Sequence, residues 1–291
     1  QLDSLVLQSA FATRVPAGKA LAVDREAFAA RITAAISSHA RIRLIRQEVT
    51  QIDLSTPTII ATGPLTSEAL AAEITNLTGG RGLTFYDAIS PIVDSQSIDY
   101  DKAFFGSRWA PDDTDYLNCP LDKEDYRAFV NALLAADTVT PHAFEDARFF
   151  EGCLPIEIMA RRGLDSLRFG PMRPVGLTDP HTQRRPYAVA QLRHENLKGD
   201  AYNIVGFQTR LTQPGQSKIL RLIPALSQAH ILRYGSVHRN TFIDAPRLLA
   251  PDLSLKAHRG IVVAGQLAGV EGYMESAATG IMAAFSIMAY L

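Results

Sequence analysis

The chain has 291 residues, 47% hydrophobic and 20% charged, with a net charge of −1 and two cysteines, Cys119 and Cys153. That length can hold two domains, because single cores stop growing near this size. The composition excludes a secreted disulfide framework and a thiolate zinc site. No apolar run approaches the roughly 18–20 residues of a membrane span, and QLDSLVLQSAF has no basic region or cleavage site of a secretory signal. A soluble, cytoplasmic chain with no metal and no membrane partner is expected.

In chain order, Asp24 caps a helix whose apolar face is Phe28, Ile32 and Ile36. Residues 41–54 alternate in extended style, and Pro57-TIIATG-Pro64 reads as a short buried strand ending in Thr-Gly. Thr66 is expected to cap a helix over 67–77 that stops at Gly79-Gly80. Residues 100–119 read as irregular, and Asp122 caps a helix carrying Tyr126, Phe129, Val130, Leu133 and Leu134 on one face. A hairpin follows over 187–211, with a third strand expected at 218–223, and the apolar residues 276–291 form a final helix.

Charge is uneven along the chain. Between Asp87 and Glu157 there are 15 acidic and 5 basic residues; between Arg161 and Arg221, 11 basic and 4 acidic. The second region is either a footprint for a polyanion or an asymmetric solvated surface.

Two runs, Thr58-IIATG and Ile261-VVAGQ, place a strand's carboxyl end beside a glycine, which is where open parallel sheets receive ligands. Either run alone is also an ordinary strand end. In Gly265-QLAGVEG the glycines at 265, 269 and 272 do not have the G-x-G-x-x-G spacing, which leaves a helix beginning near Glu271 whose free amides can meet a phosphate or a carbonyl. Cys153 precedes Pro155 at a helix start, which favours thiolate, whereas Glu151 and Glu157 oppose it, so the residues alone allow a nucleophile or a structural thiol. Cys119 has carboxylates nearby and no basic neighbour, and reads as inert. His238, Arg239 and Asn240 form a polar cluster that suits an anion, a flat ring or plain solvent. There is no HExxH, P-loop or Ser-His-Asp spacing, which disfavours hydrolysis and nucleoside-triphosphate chemistry.

Eight blocks in order, VPAGKALAVDRE, ATGPLTS, YLNCP, FFEGCLPIE, FGPMRPVGL, VGFQTRL, RYGSVHRNT and AGQLAGVEGYMESAATG, resemble the bacterial folate- and FAD-dependent tRNA (uracil-5-)-methyltransferases from about Thr13 to Gly280. That family's proteins begin with a strand and a glycine fingerprint for the FAD pyrophosphate, which these 291 residues do not contain. The chain therefore resembles the family from its second quarter onward, and Lys19, Gln213 and Gly215 depart from its usual pattern.

The resemblance implies an α/β fold: an incomplete FAD/NAD(P)-binding Rossmann-like domain over 1–66 and 240–291, with an inserted α+β substrate- and tRNA-binding domain over 67–239. It implies transfer of a one-carbon unit from methylenetetrahydrofolate, reduced by FAD, to carbon 5 of a T-loop uridine, with NAD(P)H recharging the flavin. By the same resemblance Cys153 is the nucleophile or base. Ala61, Thr62, Gly63, Gly265, Gln266, Gly269 and Gly272 face FAD, and Tyr273, His238, Arg239 and Asn240 face the folate. These residues alone are expected to hold FAD weakly and to transfer no methyl group. Alternatives are a ribosomal-RNA target, aminomethylation of anticodon uridines, or a non-catalytic RNA-binding module.

Overall fold

Short polar side chains cap the starts of five of the described α-helices. A computed structural model describes residues 4–79, 83–108, 110, 113–139 and 154–291, with the backbone alone at 83–87, 238 and 239. Ser4 starts α1 (Leu5–Ala12), and an antiparallel pair β1 (Arg14–Val15) and β2 (Ala22–Val23) leads to α2 (Arg25–Ser38). Asp24 caps α2 as expected, accepting from Ala27 N at 2.9 Å and from Leu197 N at 3.0 Å. Those backbone donors hold its carboxyl below the usual aspartate range.

The alternation over 41–54 does not become a strand. Ile42, Leu44, Ile45, Val49 and Leu54 are all exposed, because period-two patterning makes a strand only where a neighbouring strand supplies its ladder. β3 (Thr58–Ile60) is as short as expected but only half covered: Ile60 is buried and Ile59 exposed. Ser67, not Thr66, caps α3 (Glu68–Thr78), accepting from Leu70 N, because the Thr66 hydroxyl is committed to Gly63 O at 2.7 Å. Gly79 stops the helix at φ 58°, a left-handed conformation that glycine adopts without penalty.

β4 (Leu83–Ile89), β5 (Ile92–Asp94), β6 (Phe104–Phe105) and β7 (Tyr116–Leu121) follow, so part of the region expected to be irregular is strand. α4 (Lys123–Ala135) starts where Asp122 accepts from Glu124 N and Asp125 N at 2.8 Å, and it buries Tyr126, Phe129, Val130 and Leu133. After α5 (Ile156–Arg161) and α6 (Ser166–Phe169), the expected hairpin forms as β8 (Ala188–His194) and β9 (Ala201–Ile204).

The strand expected at 218–223 is instead the end of α7 (Gln213–Leu220). Thr212 caps it, Pro214 fits its first turn, and Gln216 is tied to Leu211 O and to both backbone groups of Gly235. Then come β10 (Ile231–Arg233), β11 (Ser236–Phe242), α8 (Ala245–Leu248), β12 (Ile261–Val263) and α9 (Tyr273–Tyr290).

Residues 1–44 with 88–237 form one compact unit, and 45–87 with 238–291 the other. The first is α+β. Its antiparallel sheet runs β10-β5-β9-β8-β7-β6, and Leu117, Cys119, Leu121, Ala190, Leu192 and Ile204 meet Phe129 and Leu133 of α4 and Ile219 of α7. Residues 1–44 belong here through the Tyr116 hydroxyl on Ala17 O, the Gly18 amide on Asp115, and Arg25 paired with Glu195 at 3.4 Å. These breaks fall at 44/45, 87/88 and 237/238, the last of them close to the expected 239/240. The second unit holds the parallel pair β3–β12, with Leu70 and Ile74 of α3 packed on Ile60, Ile261 and Val263.

Candidate functional site

The two glycine runs leave the same end of one parallel pair. Val263 pairs with Ile60, and Ala264 N donates to Ile60 O at 3.0 Å, so Ala61-Thr62-Gly63 and Gly265 depart side by side at the carboxyl ends of their strands. Both turns need glycine: Gly63 has φ 75° and Gly265 φ 73°. A Cβ built on Gly63 meets nothing within 4 Å, and one on Gly265 meets only Ser276 Cβ at 3.9 Å. Each turn is fastened from behind. Thr66 bonds Gly63 O and shares a 2.6 Å hydroxyl contact with Thr62, while Gly265 N donates to Thr279 Oγ1 at 2.8 Å.

The 238–243 segment reaches the same place. Thr241 N donates to Pro64 O at 2.8 Å and Ile243 N to Leu267 O at 2.9 Å, so the chain after Asn240 is laced to both turns. Asn240 is buried; His238 and Arg239 lie on β11, where the structure describes their backbone. Gly269 is left-handed at φ 80° and closes the short 3-10 turn Gly265–Ala268. Gln266 Nε2 bonds Glu271 O at 3.4 Å, and Tyr273 is 84% exposed.

α9 begins at Tyr273, two residues later than expected, with Gly272 as its cap. A Cβ at Gly272 would overlap the Glu275 carboxylate, which folds over this helix end. The amides expected to face a phosphate or carbonyl therefore already sit beside an anion of the chain's own.

Cys153 lies outside the described residues; the residues after it do not. Ile156 N donates to Gln208 O at 2.7 Å, joining the EGCLPIE and VGFQTRL blocks. Glu157, 1% exposed, accepts from Thr209 Oγ1 at 2.9 Å and Arg210 N at 3.1 Å and pairs with Arg210 Nε at 3.5 Å. Its charge is thus paired inside the unit. Cys119 is fully buried, and burial pushes its thiol far above the usual range.

Sequence reasoning read Thr66 only as a helix cap and did not single out Thr279. The signal was present for Thr279, since Ser276 and Thr279 are three apart at the start of α9 and face one side of the helix. Among the described residues no group of three metal-ligating side chains occurs, and no helix is long and apolar enough to cross a membrane.

A family model described as Glucose inhibited division protein A matches residues 1–291. The chain belongs to the glucose-inhibited division protein A family. Curated relatives carrying the name methylenetetrahydrofolate--tRNA-(uracil-5-)-methyltransferase TrmFO include that of Moorella thermoacetica, 54% identical over 97% of the chain and 65% of the relative. That of Koribacter versatilis is 54% identical over 98% and 64%, and that of Geotalea uraniireducens 56% identical over 97% and 65%. The chain spans a little under two thirds of these relatives' length.

Two crystal forms of Aquifex aeolicus GidA superpose with TM-scores of 0.67 and 0.66 at 14% and 16% identity. They cover 92% of this chain and 48% and 51% of theirs. The resemblance drawn from the eight blocks is therefore shown, and so is the fold, a mixed α/β one of the Rossmann-like kind.

Proposed function

We propose that the glucose-inhibited division protein A family chain carries the flavin- and folate-facing turns of an enzyme that moves a one-carbon unit from methylenetetrahydrofolate to carbon 5 of a T-loop uridine in tRNA. The observation that carries this reading is the pair of open, left-handed glycine turns at adjacent carboxyl ends of β3 and β12, in a chain 54% identical to relatives named for that reaction.

The residues fit a flat dinucleotide. Gly63 and Gly265 leave the backbone open to close approach, and Thr66 and Thr279 fix the two turns. FAD, when bound, supplies the hydride that converts a methylene to a methyl oxidation level, and NAD(P)H restores the reduced flavin. Ala61, Thr62, Gly63, Gly265, Gln266, Gly269 and Gly272 would hold that cofactor. Asn240, buried beside Thr241, and exposed Tyr273 suit the polar edge and the face of a pterin, with His238 and Arg239 on the same strand as Asn240. A thiolate at Cys153 would add to the uracil ring carbon next to the methylation site, making carbon 5 nucleophilic, and leave when the proton on carbon 5 is removed.

The test is to incubate the full-length protein with an unmodified tRNA transcript, methylenetetrahydrofolate and NADPH, and to digest the RNA to nucleosides. 5-Methyluridine in the wild type and none with Cys153→Ala, at unchanged RNA affinity, is the expected result. Methylation by Cys153→Ala would remove the role assigned to that thiol, and no methylated nucleoside from a flavin-loaded wild type would remove the reading.

A further inference from the structure

The α+β unit has a basic surface that neither glycine turn uses. A groove runs between the start of α4 and the loop from Asp179 to Tyr187, and its cations are Lys123, Arg184 and Arg185. All three are exposed, and among the described residues none of them enters an ion pair. The groove's carboxylates are otherwise engaged. Asp122 caps α4, and Asp179, 7% exposed, accepts from His181 N at 2.9 Å. Three cations against these two carboxylates leave the groove with a net charge of +1.

The loop that carries the two arginines is braced. Asp179 N donates to Arg184 O at 3.0 Å, Gln183 N to Asp179 O at 2.8 Å, and Gln183 Nε2 to Pro180 O at 2.8 Å. Gln183 itself sits at φ 55°, a left-handed conformation that non-glycine residues rarely adopt. Three hydrogen bonds thus brace the backbone of the turn that carries Arg184 and Arg185.

Beyond Tyr187 the surface becomes aromatic. The Arg168 guanidinium lies 4.1 Å from the centre of the Tyr187 ring and 5.7 Å from that of Phe169, and its Nε bonds Tyr187 O at 2.9 Å. Tyr187 is further set by an edge contact with Tyr126 at 5.5 Å and by a hydroxyl bond to Asp165 at 3.2 Å. Phe169 is 75% exposed, although a phenyl ring gains by burial. An exposed ring beside a guanidinium, at the end of a groove with free cations, matches the two demands of single-stranded RNA: charge along the phosphates and a flat face for an unstacked base.

We propose that this groove, continued past Tyr187 to Phe169, is the surface on which the RNA substrate docks, with Arg184 and Arg185 on its phosphates and Phe169 stacking one unpaired base. The assignment rests on the proposed action on RNA and adds where the RNA is held. The two can fail separately, because binding is read without methyl transfer.

The experiment measures affinity of the full-length protein for an unmodified tRNA transcript at several salt concentrations, with heparin as a second polyanion and thermal melting as the folding control. Arg184→Gln/Arg185→Gln is expected to weaken RNA binding about ten-fold at 0.1 M salt and to flatten the log-log salt dependence by roughly 1–2. Phe169→Ala is expected to weaken it by about ten-fold with the salt slope unchanged and heparin binding untouched, and Phe169→Trp to restore it. Unchanged affinity and slope in the double arginine variant overturns the proposal. So does an arginine effect shared equally by heparin with no effect of Phe169→Ala, which would make the face a general polyanion patch. A wild type that binds RNA in this way but forms no 5-methyluridine leaves the surface standing and sinks the enzymatic reading.

Discussion

The Gly265 amide donates to the Thr279 hydroxyl at 2.8 Å, and that hydroxyl donates in turn to Ser276 O at 2.7 Å. A side chain on the second turn of α9 thus sets the backbone of the loop that leaves β12. Removing the acceptor leaves a part-buried amide unpaired, at a net cost of about 0.5–1.5 kcal/mol. Thr279→Val is expected to weaken FAD binding roughly two- to ten-fold, and Thr279→Ser to restore it, measured by quenching of flavin fluorescence. Equal affinity in all three proteins would detach this bond from the cofactor.

Glu157 and Arg210 make the second test. The carboxylate is 1% exposed and the guanidinium side chain 17%, so substituting one partner strands the other. Glu157→Gln is expected to lose stability at the lower end of the roughly 3–5 kcal/mol typical of a broken buried pair, since Arg210 keeps some contact with water. The double variant Glu157→Met/Arg210→Met should lose less than the single one, because no charge is left behind. Denaturant unfolding of the three proteins decides it, and a double variant weaker than the single would count against the pairing.

Asp24 gives a pH-dependent test. Its carboxyl is held below its ordinary value of 3.8, chiefly by the Ala27 amide and then the Leu197 amide. A depressed acid contributes stability above its unfolded pKa and loses it as pH falls through its folded one. Asp24→Ala is therefore expected to cost about 1 kcal/mol at neutral pH, the usual worth of a cap. The gap between variant and wild type should narrow as the pH drops below about 4. A gap of constant size from pH 7 to pH 3 would mean that the capping charge is not what stabilises α2.

Much of this was legible in the residues, and the exceptions have physical causes. Asp24 and Asp122 announced their helices because a short acid before an apolar period has one local use. Lys218 to Ile223 misled because a short apolar run fits either period; Pro214 and Thr212, the helix-start signals, stand four and six residues upstream. Residues 41–54 misled for another reason, since alternation reports a preference for a partner strand and not its presence. The strand Tyr116–Leu121 was half hidden by Asn118 and Pro120, yet Asn118 is buried there, bonding Phe104 O, Gly106 O and Gln191. In the candidate site, glycines at strand ends could be read, but that Gly63 and Gly265 share one sheet end is a matter of pairing between residues about 200 apart. Phe169 gave no sign at all, because exposure of a ring is not a sequence property.

The two thiols should behave oppositely. Burial of Cys119 disfavours its thiolate, the reactive form. Alkylation of the folded protein at pH 7 followed by peptide mapping is expected to mark Cys153 and spare Cys119, and both should react in denaturant. Rapid labelling of Cys119 in the folded protein would contradict its place in the core.

Gly63 and Gly79 separate backbone cost from cofactor contact. Both are left-handed, at φ 75° and 58°, and a Cβ on either meets nothing within 4 Å. Alanine at either position therefore carries the same penalty, about 1–2 kcal/mol for a non-glycine residue in that region, with no clash to add. They differ in place: Gly79 ends α3, whereas Gly63 stands at the carboxyl end of β3 beside Gly265. Both alanine variants are expected to lower the melting temperature by a similar few degrees. Only Gly63→Ala is expected to lose FAD, because its new methyl group occupies the space through which a flat ring reaches the backbone. Equal flavin content in the two variants would show that the openness at Gly63 serves the turn alone, and the candidate site would then have to be sought away from the β3–β12 edge.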